Sequence, residues 1–561
     1  MASALQPDSK RPSYDAFYAQ FQPKNLSQLL SGDLDTAINA CVECCDRHVG
    51  HNRIALNWES ADGRKASYTF EQLRDLSAKF ANYLKSRNVG PGDVVAGMLP
   101  RTPELIVAVL GTWRAGAVYQ PLFTAFGPKA VEHRLSTSKA KLVVTDPANR
   151  SKLEGVAHPI HVALVTRKDK GETVPAGNDD YHAVMGAMST DFAPVMRTGD
   201  DLLLMMSTSG TTGLPKGVPV PLRALLSFHA YMTFAIDLRP DDKYWNIADP
   251  GWAYGLYYAV TGPLLLGHAT TFYDGPFTVE STYRMIETHG ITSLAGSPTA
   301  YRLLIAAGAE PAATVKGKLR VVSSAGEPLN PEVIRWFAAN LDVPIYDHYG
   351  QTELGMVVNT HHGLDHAVQV GSAGLSMPGF RVVVLDAEGN EAPSHTPGEL
   401  AVDIARSSLH WFTGYLNQET PSISGGYYRT GDLAERGPEG HLSFVGRNDD
   451  VITSSGYRIG PFDVESALLE HPAVIEVAVI GKPDLERTEI VKAFIILQTG
   501  FEGTPTLADE LSQFVKKRLS AHAYPREIEF VTQLPKTPSG KLQRFILRNN
   551  EKPVSADKPI A

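Results

Sequence analysis

The chain has 561 residues, 43% of them hydrophobic, enough for roughly three or four domain-sized units. Its 52 basic and 61 acidic residues leave a net charge of −9, which argues against a general nucleic-acid binder. Residues 1–14 lack the apolar core of a signal peptide. The most apolar stretch, 252–267, is broken by Gly255, Thr261, Gly262 and Pro263 and does not read as a membrane span.

Residues 1–30 read as an extended arm over the body. Residues 37–45 fit a helix, which makes Cys41, Cys44 and Cys45 small core residues; no second Cys pair exists to complete a four-sulfur zinc site. Three thiols in all suit a reducing, cytoplasmic compartment. Phe70, Leu73, Leu76, Phe80 and Leu84 mark an amphipathic helix over 69–89, ended by Gly90-Pro91-Gly92. A strand at 94–98, a helix at 102–116 and a strand at 141–145 follow. Residues 169–200, polar and rich in Gly, Asp and Pro, read as a surface excursion. Strands at 202–206, 244–247, 269–273, 293–295 and 319–323 then alternate with helices at 281–289 and 332–340, which implies parallel, doubly wound sheets. From 371 to 444, Gly and Pro punctuate short strands such as 381–385 and 398–402, the texture of a small antiparallel sheet or barrel. Beyond 449 comes a compact unit: a helix at 461–470, strands at 474–480 and 491–497, a helix at 507–519 and a strand at 527–531. The expected class is α/β. A large N-terminal domain of doubly wound sheets (1–448) holds a β-barrel-like subdomain (371–448), and a small α+β C-terminal domain (449–561) follows.

The strand at 202–206 runs into Ser207-Thr208-Ser209-Gly210-Thr211-Thr212-Gly213-Leu214-Pro215-Lys216-Gly217. Glycines let backbone N–H groups turn toward an anion, hydroxyls donate to phosphate oxygens, and Lys216 adds a mobile charge. A Walker A loop would place Ser or Thr after the lysine, whereas Gly217 and Val218 follow here. The composition also suits a flexible linker. Residues 516–548 carry eight Lys and Arg against Glu527 and Glu529, a local +6 that suits anionic ligands or a solvated basic face.

Four more motifs follow in order: Ser324-Ala325-Gly326-Glu327-Pro328-Leu329, Tyr349-Gly350-Gln351-Thr352-Glu353, Tyr428-Arg429-Thr430-Gly431-Asp432 with Gly446-Arg447-Asn448-Asp449-Asp450, and Pro538-Ser539-Gly540-Lys541. Together with the loop they resemble the signatures of adenylate-forming enzymes, the superfamily of acyl-CoA synthetases, luciferases and peptide-synthetase adenylation domains. The resemblance runs from about residue 50 to residue 548.

That resemblance implies ATP-dependent activation of a carboxylic acid as an acyl-adenylate, then thioester formation with CoA. Thr208, Ser209, Gly210, Thr211, Thr212, Gly213 and Lys216 would hold the β- and γ-phosphates, Thr352 the α-phosphate and Glu353 a Mg²⁺ ion. Gly326, Glu327 and Pro328 would follow the adenine edge, with Asp347, His348, Tyr349, Gly350 and Gln351 beside them. Asp432 would accept both ribose hydroxyls, and Arg447 would add a ribose or phosphate contact. Lys541 would bridge carboxylate and α-phosphate during adenylation. Asp449 would be the hinge of a mobile C-terminal domain whose other face presents Ser455, Gly456, Tyr457 and Arg458 to CoA. Arg487, Lys516 and Tyr524 are further CoA candidates, equally suited to ordinary surface roles.

Acetate-specific relatives carry tryptophan at the position of Gly350, so glycine there implies an acid longer than acetate. Trp252 leads an aromatic run, 249–258, that would line or gate the acyl tunnel; Tyr257 and Tyr258 suit plain core packing as well. The run resembles that of medium-chain and short branched-chain acyl-CoA synthetases. Each added methylene is worth about 0.8 kcal/mol, so chain-length selection is expected to be graded. The alternative is an adenylating enzyme that passes its acyl group to a carrier protein or amine. The absence of a carrier module after Lys541 favours CoA. Expected partners are a small carboxylic acid, ATP and CoA, with an oligomer compatible.

Overall fold

The computed structural model describes residues 11–208, 215–447, 450–454, 457–484, 487–519, 523–537 and 542–551; for Tyr457 and Arg458 it describes the backbone alone. Four sheets organise the chain. The first has nine strands in the order Leu375–Ser376, Gly355–Asn359, Ile345–Gln351, Val321–Ala325, Ser293–Gly296, Tyr244–Asn246, Thr270–Asp274, Ile54–Ser60 and Lys65–Thr69. The strands from Ile345–Gln351 to Ile54–Ser60 are parallel, and both flanks are antiparallel. The second runs Asp179–Asp180, His161–Leu164, Leu142–Thr145, Val94–Met98, Val118–Pro121, Leu202–Ser207 and Gly217–Pro221, parallel except for its last pair.

One apolar core joins these two sheets, through residues such as Leu56 of the first and Val95 and Leu204 of the second. Helix Pro103–Arg114 lies within it with every residue but Glu104 buried, as its nearly all-round apolar sequence requires. Helix Phe70–Ser86 opens on a capping box in which Thr69 and Gln72 satisfy each other's backbone N–H groups. The three cysteines are buried on and beside helix Ala40–Cys44, in the small-core role expected of them.

The third sheet is antiparallel: Val382–Leu385, Gly398–Asp403, Tyr427–Arg436 and Ile423–Ser424 in order, with Leu442–Arg447 also on Tyr427–Arg436. The fourth orders Tyr457–Ile459, Ile452–Ser454, Thr488–Leu497 and Val474–Asp484, with Glu527–Phe530 parallel to Thr488–Leu497. Helices Pro461–Leu469 and Pro505–Arg518 close over it around Val464, Leu468, Ile495, Leu511 and Val515.

Several expectations change. Residues 11–30 are not simply extended: they form helices Tyr14–Gln20 and Lys24–Ser27, and the Tyr14 and Tyr18 hydroxyls donate to the carbonyls of Ser376 and Phe380. The 169–200 excursion adds the edge strand Asp179–Asp180 and helix Tyr181–Ala187. The strands expected at 474–480 and 491–497 run longer, as Val474–Asp484 and Thr488–Leu497, and form an antiparallel hairpin. Among the described residues no helix is long and apolar enough to cross a membrane.

Candidate active site

The phosphate-loop candidate spans the turn between two antiparallel strands, Leu202–Ser207 and Gly217–Pro221, whose register sets Ser207 opposite Gly217. The Thr208 amide donates to the Lys216 carbonyl at 2.9 Å, closing the loop's base. Ser209, Gly210, Thr211, Thr212 and Gly213 lie outside the described residues. Lys216 sets its ammonium 4.6 Å over the Tyr415 ring. The Leu416 amide donates to the Gly217 carbonyl at 2.9 Å, which pins that ring beside the lysine.

Strand Ile345–Gln351 forms the opposite wall, near the C-terminal ends of the parallel strands, where open α/β sheets bind ligands. Its period of two sends Asp347, Tyr349 and Gln351 to one face. The Tyr349 hydroxyl donates to Asp432 Oδ2 at 2.6 Å. Gln351 Nε2 donates to the same oxygen and to the Thr430 carbonyl, both at 2.9 Å. Gln351 Oε1 accepts from the Tyr428 hydroxyl at 3.0 Å. Asp432 and Arg447 are cross-strand partners, with Arg447 Nη1 3.8 Å from Asp432 Oδ1. An antiparallel pairing thus unites two residues that are fifteen apart in sequence.

Asp347 is half-exposed by surface area, but its carboxyl is enclosed, and burial pushes it up to about 7 against two backbone donors, Leu329 N–H (3.1 Å) and His348 N–H (3.0 Å). His348 departs from expectation. Its ring faces the core, where Nδ1 accepts from the Tyr231 hydroxyl at 2.7 Å and Nε2–H donates to the Thr360 carbonyl at 3.2 Å. Burial drives its pKa down to about 3, so it is a neutral packing residue behind the strand rather than a nucleotide contact through its side chain.

Gly326 follows strand Val321–Ala325 with φ of 98°, a left-handed conformation that favours glycine. Glu327 is held by Arg302 Nη2 and the Thr299 hydroxyl, both at 2.9 Å, and Pro328 completes the turn. Gly350 has a reason of its own: a Cβ there would collide with the Gly355 carbonyl oxygen, because the antiparallel pairing shifts register between Tyr349 and Gly350. A side chain at 350 would therefore need this strand turn to shift.

Thr352 and Glu353 follow the strand. The Tyr257 hydroxyl donates to the Thr352 carbonyl at 3.0 Å, and the Tyr258 hydroxyl accepts from the Met356 amide at 3.0 Å. Both tyrosines sit on a single π-helical turn, Leu256–Thr261, a form frequent at functional sites. They brace the motif from behind. Trp252 packs instead on Phe123 and Phe126, with ring centroids at 5.3 and 5.1 Å. Glu353 is 6% exposed and accepts from the Tyr415 hydroxyl at 2.8 Å. Among the described residues no cluster of three His, Cys, Asp or Glu side chains forms a metal cage. One carboxylate beside a phosphate loop fits Mg²⁺, which takes one or two protein carboxylates and completes its shell with phosphate oxygens and water.

On the C-terminal side, Asp449, Ser455, Gly456 and Lys541 lie outside the described residues. Tyr457 and Arg458 belong to strand Tyr457–Ile459, opposite Ser454 and Thr453. The Arg487 amide donates to Asp484 Oδ1 at 2.8 Å. Lys516 and Tyr524 do come together, the ammonium 5.0 Å from the ring centroid, and Arg526 joins them at 4.8 Å. Sequence reasoning passed over Tyr415, Arg302 and Arg526. Tyr428 was read only as part of its motif, yet its hydroxyl fixes Gln351.

The AMP-binding enzyme family model matches residues 45–416, and the AMP-binding enzyme C-terminal domain model matches 463–541. Acetyl-coenzyme A synthetase of Bacillus subtilis (strain 168) is 39% identical over 558 residues, covering 97% of this chain and 96% of the relative. The mitochondrial acyl-coenzyme A synthetase ACSM3 of Rattus norvegicus is 35% identical over 510 residues, covering 89% and 86%. Among solved structures, the Brucella canis acyl-CoA synthetase is 65% identical with a TM-score of 0.80, covering 96% of this chain and 99% of that one. With nearly its whole length matched, this chain belongs to the AMP-binding enzyme family.

Proposed function

We infer that the protein is an AMP-forming acyl-CoA synthetase, an acid–thiol ligase that turns a carboxylic acid into its CoA thioester through an acyl-adenylate. The observation that carries this reading is the linkage of Lys216, Glu353 and Asp432, from three distant segments, through Tyr415, Tyr428 and Gln351. A carboxylate oxygen leaves badly. Its attack on the α-phosphorus of ATP expels pyrophosphate and gives a mixed anhydride; the CoA sulfur then attacks the carbonyl and AMP leaves.

In this reading Thr208, the loop 209–213 and Lys216 take the β- and γ-phosphates, and Thr352 the α-phosphate. Gly326, Glu327, Pro328 and the Tyr349 ring frame adenine, while Asp432 and Arg447 meet the ribose. Glu353 holds Mg²⁺, which when bound offsets phosphate charge. Lys541 stabilises the charge developing at the α-phosphate. Residues 449–561 form the unit that turns about Asp449 to exchange Lys541 for the Ser455-Gly456-Tyr457-Arg458 face, with Arg487, Lys516 and Tyr524 toward CoA.

The acid is of short to medium length and longer than acetate, since no indole at 350 closes the tail space. The Bacillus relative is named for acetate and the Rattus relative for acyl groups in general. Pyrophosphate release with ATP, Mg²⁺ and CoA, measured over straight and branched acids from C2 to C12, tests this. Activity peaking above C2 is expected. A peak at acetate overturns the acid-length reading and keeps the ligase. Release that continues at full rate without CoA overturns thioester formation.

A further inference from the structure

Tyr415 comes from a segment that none of the five motifs includes, yet it touches two of them. Its ring lies 4.6 Å from the Lys216 ammonium, and its hydroxyl donates to Glu353 Oε1 at 2.8 Å. The side chain is not there by chance of rotamer. The Tyr415 amide donates to the Thr420 hydroxyl at 2.8 Å, and the next amide, of Leu416, donates to the Gly217 carbonyl. Phe412 packs edge-on against both Tyr415 (5.1 Å) and Tyr428 (5.5 Å).

We propose that Tyr415 is a positioning residue for the first half-reaction: its ring parks the Lys216 ammonium and its hydroxyl aims the Glu353 carboxylate, so that one side chain sets both charged groups toward the triphosphate and its metal. This rests on the reading of Lys216 and Glu353 given above. The two contacts differ in kind. A cation on a partly exposed ring is weakly held, so an arriving triphosphate draws the lysine away. A hydrogen bond to an ionised carboxylate is stronger and orients Glu353 throughout. Unlike a second cation, a hydroxyl orients the carboxylate without cancelling the charge a metal needs.

The test compares wild type, Tyr415→Phe and Tyr415→Leu in calorimetric titrations of ATP at a series of Mg²⁺ concentrations. The same proteins are assayed for CoA transfer from supplied acyl-adenylate. The Phe variant keeps the ring. It should need about tenfold more Mg²⁺ for half-maximal ATP binding while matching wild type at saturating Mg²⁺. The Leu variant should show the same shift and in addition bind ATP about threefold more weakly at saturating Mg²⁺. Transfer from acyl-adenylate should stay near wild type in both. Wild-type Mg²⁺ dependence in the Phe variant overturns the proposal, as does an equal loss in both half-reactions, the mark of a merely structural tyrosine. The Phe variant alone decides the hydroxyl's role if the Leu variant does not fold. Lys216→Ala and Glu353→Gln serve as controls. Unchanged ATP binding in these would sink the underlying site reading; weakened binding in them with unaltered Tyr415 variants would sink the Tyr415 proposal alone.

Discussion

Asp432 and Glu353 of the candidate site and several carboxylates of the C-terminal unit are met by different kinds of partner. Asp432 accepts hydrogen bonds from a tyrosine hydroxyl and a glutamine amide, with Arg447 at 3.8 Å, and Glu353 accepts from the Tyr415 hydroxyl. In the C-terminal unit around the fourth sheet, several carboxylates meet cations directly. Arg544 forks onto Glu465 at 2.7 and 2.8 Å and approaches Asp450 at 3.5 Å, while Arg548 pairs with Asp450. Lys492, 3% exposed, lies 2.7–2.9 Å from Glu527, Glu529 and Glu551. A neutral donor fixes a carboxylate's direction without itself offsetting the charge. Ion pairs offset the charge and tie the chain to itself.

The hardest blow to this contrast would come at Lys541. Lys541→Ala should cut pyrophosphate release by about 10²–10³-fold, the scale of losing one preorganised transition-state donor. Transfer from supplied acyl-adenylate should survive; equal losses in single-turnover assays of both steps would contradict a unit with two working faces. Next comes the ionic half. Glu465→Ala leaves Arg544 buried beside a missing partner and should cost about 3 kcal/mol in urea unfolding. A loss under about 1 kcal/mol would mean that the pair does not hold the sheet. The smallest expected effect belongs to the neutral half. Asp347, raised by burial from 3.8 to about 7, keeps a proton in the folded state that the unfolded chain releases. Its contribution to stability is therefore complete below the unfolded value and fades as pH climbs toward 7. Between pH 5 and pH 8 the wild type should lose more stability than Asp347→Asn, as urea midpoints at the two values would report.

The strands of the two large sheets that were legible are buried parallel ones, which read as short apolar runs between Gly-rich turns; 94–98 coincides with Val94–Met98. Antiparallel partners such as Gly217–Pro221 were not, since pairing direction leaves no mark in a five-residue run. In the site, adjacency to the Tyr349–Glu353 motif misled at His348. Strand alternation, present in the same five letters, separates it from Asp347 and Tyr349. Tyr415 had no local signal at all: it meets Lys216 and Glu353 only after two long-range crossings of the fold. The Gly350 collision with Gly355 was equally invisible, because it depends on a register shift between strands.

The two tyrosines of helix Tyr14–Gln20 have a consequence beyond tethering. The nine-stranded sheet ends on Leu375–Ser376, a strand two residues long, and the Tyr14 hydroxyl occupies the Ser376 carbonyl that a neighbouring molecule's strand would otherwise seek. At the far border, Lys65 places a charged side chain on the outer strand. An open sheet of this width is a template for stacking copies into aggregates, and a short, covered margin on one side with a lysine on the other discourages that.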